Sequence, residues 1–151
     1  MYMFSSEARC RYRFSPLAEV ICQLRFPEIL SIQANSPVEF QDAIRGQFPV
    51  YLRRQEIPLA AVAGIGGNLP AQNREPVINH QFATPDGVWR INLTSKFISL
   101  TCSKYTCWEE FAAHLDQPLA AFIQIYKPAY FERVGLRYLN FISRMQLGLE
   151  G

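Results

Sequence analysis

Apolar and polar positions first alternate regularly from Ala18, where Ala18, Val20, Cys22, Leu24 and Phe26 interleave with Glu19, Ile21, Gln23 and Arg25. A period of two predicts a half-buried strand, and Pro27, which has no N–H to give a ladder, ends it. Ser36, Pro37 and Glu39 then spell a helix start, with a cap, a proline at the first helical position and a capping-box partner. Phe40, Ala43, Ile44 and Phe48 form its apolar stripe, and Pro49 stops it. Ile57 to Ala63 is a candidate strand. Gly64, Gly66, Gly67, Pro70 and Pro76 mark 64–76 as a flexible loop. From Val77 a meander is expected. Ile78, His80 and Phe82 run outward, Pro85-Asp86-Gly87 turns, and Trp89, Ile91 and Leu93 return. Ser95-Lys96 then turns into Ile98, Leu100 and Cys102, so the Trp89 and Ile98 rows face each other across an antiparallel pair.

Thr106 with Glu109 reads as a second capping box, opening the longest helix. Trp108, Phe111, Ala112, Leu115, Leu119, Phe122, Ile123 and Tyr126 keep a helical period. Pro118 within it predicts a kink or two abutting helices near Asp116, and Pro128 closes the element. Tyr130 to Ile142 is the last strand, with Val134, Leu136, Tyr138 and Ile142 on one side and Arg133, Gly135 and Arg137 on the other. Asn140 falls in the apolar row, where it would satisfy a buried backbone group.

Strands with helices inserted between them, rather than strict alternation, predict an α+β fold: an antiparallel β-sheet with two helices packed on one face. The other face would carry Gln23, Arg25, Arg90, Asn92, Arg133 and Arg137. A register slip of one residue would exchange the faces. The 151 residues are expected to form a single domain, 1–151, with residues 1–15 an N-terminal arm or edge strand. There Arg9, Arg11 and Arg13 alternate with Cys10, Tyr12 and Phe14, readable as a basic arm with interleaved aromatics or as a solvated extension.

A net charge of +2 announces neither nucleic acid nor membrane. Twelve of the fifteen cationic residues are arginines, the side chain suited to bidentate contact with carboxylate or phosphate. Arg133 and Arg137 share a strand face about 13 Å apart. They would either grip an anion or settle into ion pairs with Glu19 and Glu132. Cys10, Cys22, Cys102 and Cys107 contain no C-x-x-C spacing, which argues against zinc or a disulfide framework. Gly64-Ile65-Gly66-Gly67 runs into Asn68-Leu69-Pro70, so no helix follows to meet a phosphate. His80 and His114 stand far apart in the chain. A pair between a histidine and Cys107, at the first turn of the long helix, is the one catalytic arrangement conceivable. Neither a catalytic constellation nor a cofactor motif emerges.

The segments Pro16 to Phe26, Tyr105-Thr106-Cys107-Trp108-Glu109-Glu110-Phe111 and Phe131 to Asn140 together resemble an uncharacterised, sporadically distributed family of prokaryotic proteins. The resemblance covers most of 16–142, and Gly135-Leu136-Arg137-Tyr138-Leu139-Asn140 is its most specific block. It implies a bacterial or archaeal cytoplasmic protein with no assigned catalytic residues, with the patchy distribution typical of mobile or defence systems. Family members are usually longer, so the chain is expected to be a short member or an N-terminal part. The residues therefore point to a non-enzymatic binding module. Its working surface would be the helix-free face bearing Arg25, Arg90, Arg133 and Arg137, with no cofactor. A protein partner or self-association is the first expectation, and Phe131 and Phe141 on that face would favour it. A nucleic acid or nucleotide is the alternative, and a small hydrolase using His80 or His114 the third. No membrane segment is apparent.

Overall fold

The computed structural model describes residues 15–56 and 76–142. The N-terminal arm with Arg9, Arg11 and Arg13, the candidate strand 57–63 and all but the last residue of the 64–76 loop lie outside them. The described residues form β1 (Leu17–Arg25), α1 (Leu30–Ala34), α2 (Val38–Ile44), β2 (Val50–Glu56), β3 (Val77–Ala83), β4 (Trp89–Leu93), β5 (Phe97–Cys102), α3 (Trp108–Tyr126) and β6 (Arg133–Asn140). The six strands make one sheet in the order β2-β3-β4-β5-β1-β6, with every neighbouring pair antiparallel. The fold is α+β.

Register fixes the two faces. Val20, Cys22 and Leu24 lie opposite Cys102, Leu100 and Ile98, which lie opposite Trp89, Ile91 and Leu93 in turn. These side chains join Ile32, Phe40, Ile44, Phe48, Phe111, Leu115 and Phe122 in one buried core, so the helices cover this face alone. The β3–β4 turn forms as its residues dictate. The Asp86 carboxylate accepts from the Thr84 hydroxyl at 2.6 Å and the Val88 N–H at 3.0 Å, while Gly87 takes the left-handed conformation (φ 70°) that suits glycine.

Four sequence expectations need correction. Neither α2 nor α3 has a side-chain cap bond: Pro37 and Cys107 occupy the cap positions, and the Thr106 hydroxyl bonds the Glu110 carboxylate instead. Two abutting helices do not form at Pro118, because α3 runs as one helix from Trp108 to Tyr126. Proline forfeits one backbone bond, yet Phe111, Leu115, Pro118 and Phe122 continue a single buried stripe that offsets the loss. Trp108 and Ile123, read as part of that stripe, are exposed. Asn140 is exposed at the end of an edge strand rather than buried.

Two further elements were not anticipated. Helix α1 is five residues long with only Ile32 buried; the Gln33 amide ties it to β3, donating to the Pro76 carbonyl and accepting from the Ile78 N–H. Strand β2 is an edge strand exposed along its whole length.

Candidate ligand-binding face

On the helix-free face the register sets out three parallel rows running across the strands. The middle row is Gly135 (β6), Gln23 (β1), Ser99 (β5), Asn92 (β4) and Gln81 (β3). It holds no charge and ends at a residue with no side chain. One flanking row carries Arg133, Arg25 and Phe97; the other carries Arg137, Ile21, Thr101 and Arg90. The middle row is the floor of a groove of about 500 Å³. Arg133 and Arg137 bracket its Gly135 end.

The floor is internally wired. Gln81 Nε2 donates to Asn92 Oδ1 at 2.9 Å, and Asn92 Nδ2 donates to Ser99 Oγ at 3.4 Å. Asn79, only 4% exposed, donates through Nδ2 to Glu56 Oε1 at 2.7 Å and to Asn92 Oδ1 at 3.4 Å. Its own carbonyl oxygen is the one buried side-chain polar atom without a hydrogen-bond partner among the described residues. An orphaned buried acceptor costs about 1–3 kcal/mol.

The charges are unevenly engaged. Arg90 lies 3.4 Å from Glu19, and the Glu56 carboxylate holds Asn79. Arg133 and Arg137 have no ion pair among the described residues. The expected network with Glu19 and Glu132 therefore does not form, because Glu19 turns toward β4 instead. Arg25 and Arg133 are register partners, two like charges directly opposed, an arrangement that disfavours the bare face slightly. All four predicted arginines share this face. Arg90, Arg133 and Arg137 line the groove and Arg25 does not. Asn79, Gln81, Ser99 and Thr101, in the polar half of the strand alternation, also line it, as do the carboxylates of Glu19, beside Arg90, and Glu56, held by Asn79. Phe131 is not on this face but packs against Phe122 in the core, and Phe141 is exposed beyond the end of β6.

The residues considered for nucleophilic chemistry are committed elsewhere. His80 is 2% exposed on the helix side, with Nδ1 2.9 Å from the Tyr51 hydroxyl and Nε2 3.1 Å from the Ile32 carbonyl. A carbonyl only accepts, so Nε2 carries the proton and Nδ1 accepts from Tyr51. Burial pushes the His80 pKa below its usual value, and the Arg53 charge lowers it further against the opposing Ile32 contact. His114 stacks on Trp89 with ring centroids 3.8 Å apart, and its Nδ1 lies 2.9 Å from the Glu110 carbonyl. Burial raises the Cys22 and Cys102 thiols, which keeps them protonated. Neither histidine has an ion-pair contact with a carboxylate among the described residues.

The His80 arrangement has a measurable consequence. The unfolded chain takes its proton near the ordinary value of about 6.5, the folded chain only at lower pH. Stability is therefore constant above that value and is lost as pH falls through it toward the folded pKa. Thermal unfolding followed from pH 8 to pH 5 is expected to show this decline in the wild type and a weaker one in His80→Gln.

No family model, no curated protein and no solved structure matches the chain. No described helix is long and apolar enough to cross a membrane, and no group of metal-ligating side chains is present among the described residues.

Proposed function

We propose that the protein is a non-enzymatic binding module whose open sheet face takes an anionic ligand in the groove between Arg133 and Arg137. The observation that carries this reading is the pair of arginines without carboxylate partners flanking Gly135, at the mouth of a trough with a neutral polar floor. A guanidinium left in water next to a side-chain-free strand position is well placed for bidentate contact with phosphate or carboxylate. The amide and hydroxyl side chains of the floor suit a small or extended polar ligand better than a protein surface, whose contact core is more apolar. The resemblance to a sporadically distributed prokaryotic family, and a cytoplasmic place of work, belong to the same reading.

Calorimetric titration with tripolyphosphate, a plain polyanion, tests it. Binding is expected at low salt and should weaken as salt rises, since exposed charges are screened within about 10 Å at 0.1 M. Absence of binding at low salt, or binding indifferent to salt, would overturn the reading.

A second reading rests on a different surface. The helix-side residues of the edge strand β6 are open to solvent, with Val134 65%, Leu136 45% and Tyr138 46% exposed. Such an apolar edge suits a protein partner or a second copy, and it would leave the arginine groove unoccupied.

A further inference from the structure

We infer that the anionic ligand is a nucleoside phosphate, its phosphate held between Arg133 and Arg137 over Gly135 and its base lying along the neutral row beside Phe97. This rests on the anion-binding reading above and adds the identity of the uncharged part.

Three chemistries meet in one groove. At the β6 end a Cβ on Gly135 would come 3.8 Å from Arg133 Nε and 3.9 Å from Nη2, so the guanidinium already lies along the bare backbone at van der Waals distance. A phosphate entering there meets the planar donors of Arg133, whose guanidinium reaches over the side-chain-free position. Beyond it, Gln23 and Ser99 sit on successive strands about 4.8 Å apart, so the row reaches roughly 10 Å from Gly135, comparable to the distance from the phosphate of a nucleotide to the edge of its base. Amide side chains both donate and accept, as the hydrogen-bonding edge of a base does. Phe97, half-buried in the groove wall next to this row, supplies an aromatic face, and stacking on such a ring is tolerant of base identity. An inorganic anion would use only the arginine end, and a sugar phosphate would leave Phe97 without a ring to stack on. A nucleoside phosphate uses all three.

The test compares inorganic phosphate, ribose 5-phosphate, the four ribonucleoside monophosphates and a short single-stranded oligonucleotide by calorimetry on the intact chain. At least one nucleotide-bearing compound is expected to bind roughly ten-fold or more tightly than ribose 5-phosphate, the range that stacking on one aromatic supplies. Phe97→Leu, which keeps apolar bulk, should remove that advantage while leaving ribose 5-phosphate binding unchanged. Near-ultraviolet circular dichroism confirms that the variant is folded. Tighter binding of the oligonucleotide than of every mononucleotide identifies the source as a nucleic-acid strand, and the reverse identifies free nucleotide. Equal affinity for nucleotides and ribose 5-phosphate overturns this inference and leaves the anion reading standing. No binding of any phosphate compound, tripolyphosphate included, overturns both.

Discussion

Replacing Arg133 and Arg137 together by alanine is expected to lower affinity for tripolyphosphate by about a hundred-fold or more. Hydrogen bonds to charged groups contribute roughly 1.5–3 kcal/mol each, so losing two amounts to about 3–6 kcal/mol, where 1.4 kcal/mol is ten-fold. The effect should be large because neither guanidinium has a carboxylate to fall back on among the described residues. Arg90→Ala should cost less, since its guanidinium is already 3.4 Å from Glu19. Stability offers the control. Both arginines are exposed on an edge strand, and removing Arg133 relieves its opposition to Arg25, so the unfolding midpoint should barely move. A double variant that binds as the wild type does would place any anion site elsewhere. One that unfolds would make the arginines structural.

Phe122→Ala is expected to be the most damaging single truncation in the core, at about 3–5 kcal/mol. Phe122 is fully buried at the C-terminal end of the α3 stripe. Its ring contacts Phe26 after β1 (centroids 4.7 Å), Tyr126 one turn on (5.5 Å) and Phe131 ahead of β6 (6.4 Å). It thus joins the helix to the two neighbouring strands that carry the groove's arginine end. Against a total stability of about 5–15 kcal/mol, the loss should lower the melting temperature by roughly 10 °C or more. Ile123→Ala, the next residue but 44% exposed, should change it by little. Equal effects at the two positions would contradict the helix facing described here.

Much of the fold was legible because most elements here bury one side. The alternation in Ala18 to Phe26 and the Phe40-Ile44 spacing translate directly into β1 and α2, the meander follows in the same way, and β6 keeps the apolar alternation although its side chains are exposed. Strand β2 and helix α1 left no such trace. Val50-Tyr51-Leu52-Arg53-Arg54-Gln55-Glu56 is exposed at every position and breaks the alternation at its adjacent arginines, so β2 is specified by its pairing with β3. Leu30 to Ala34 is too short to show a period, and long-range bonds from Gln33 hold it in place. At α3 the Thr106 hydroxyl bonds the Glu110 carboxylate rather than capping the helix, a local competition that residue types alone do not settle.

The candidate site was half legible. Placing Arg25, Arg90, Arg133 and Arg137 on one face needed only strand parity. Bringing Arg133 and Arg137 to either side of a trough needed the strand order, which sets β1 between β5 and β6 and so aligns Gly135 with Gln23, Ser99 and Asn92. The pairing of Glu19 with Arg90, rather than with an arginine of β6, depended on the same long-range arrangement.

The most direct measurement is an amide chemical-shift map of the protein during titration with tripolyphosphate. If the open sheet face is the ligand surface, the signals that move belong to Gly135 and its row neighbours Gln23 and Ser99, together with Arg133 and Arg137, while Gly87 in the distant β3–β4 turn stays still. Shifts confined to the α3 side of the sheet, or scattered over the surface with no focus at Gly135, would contradict the account.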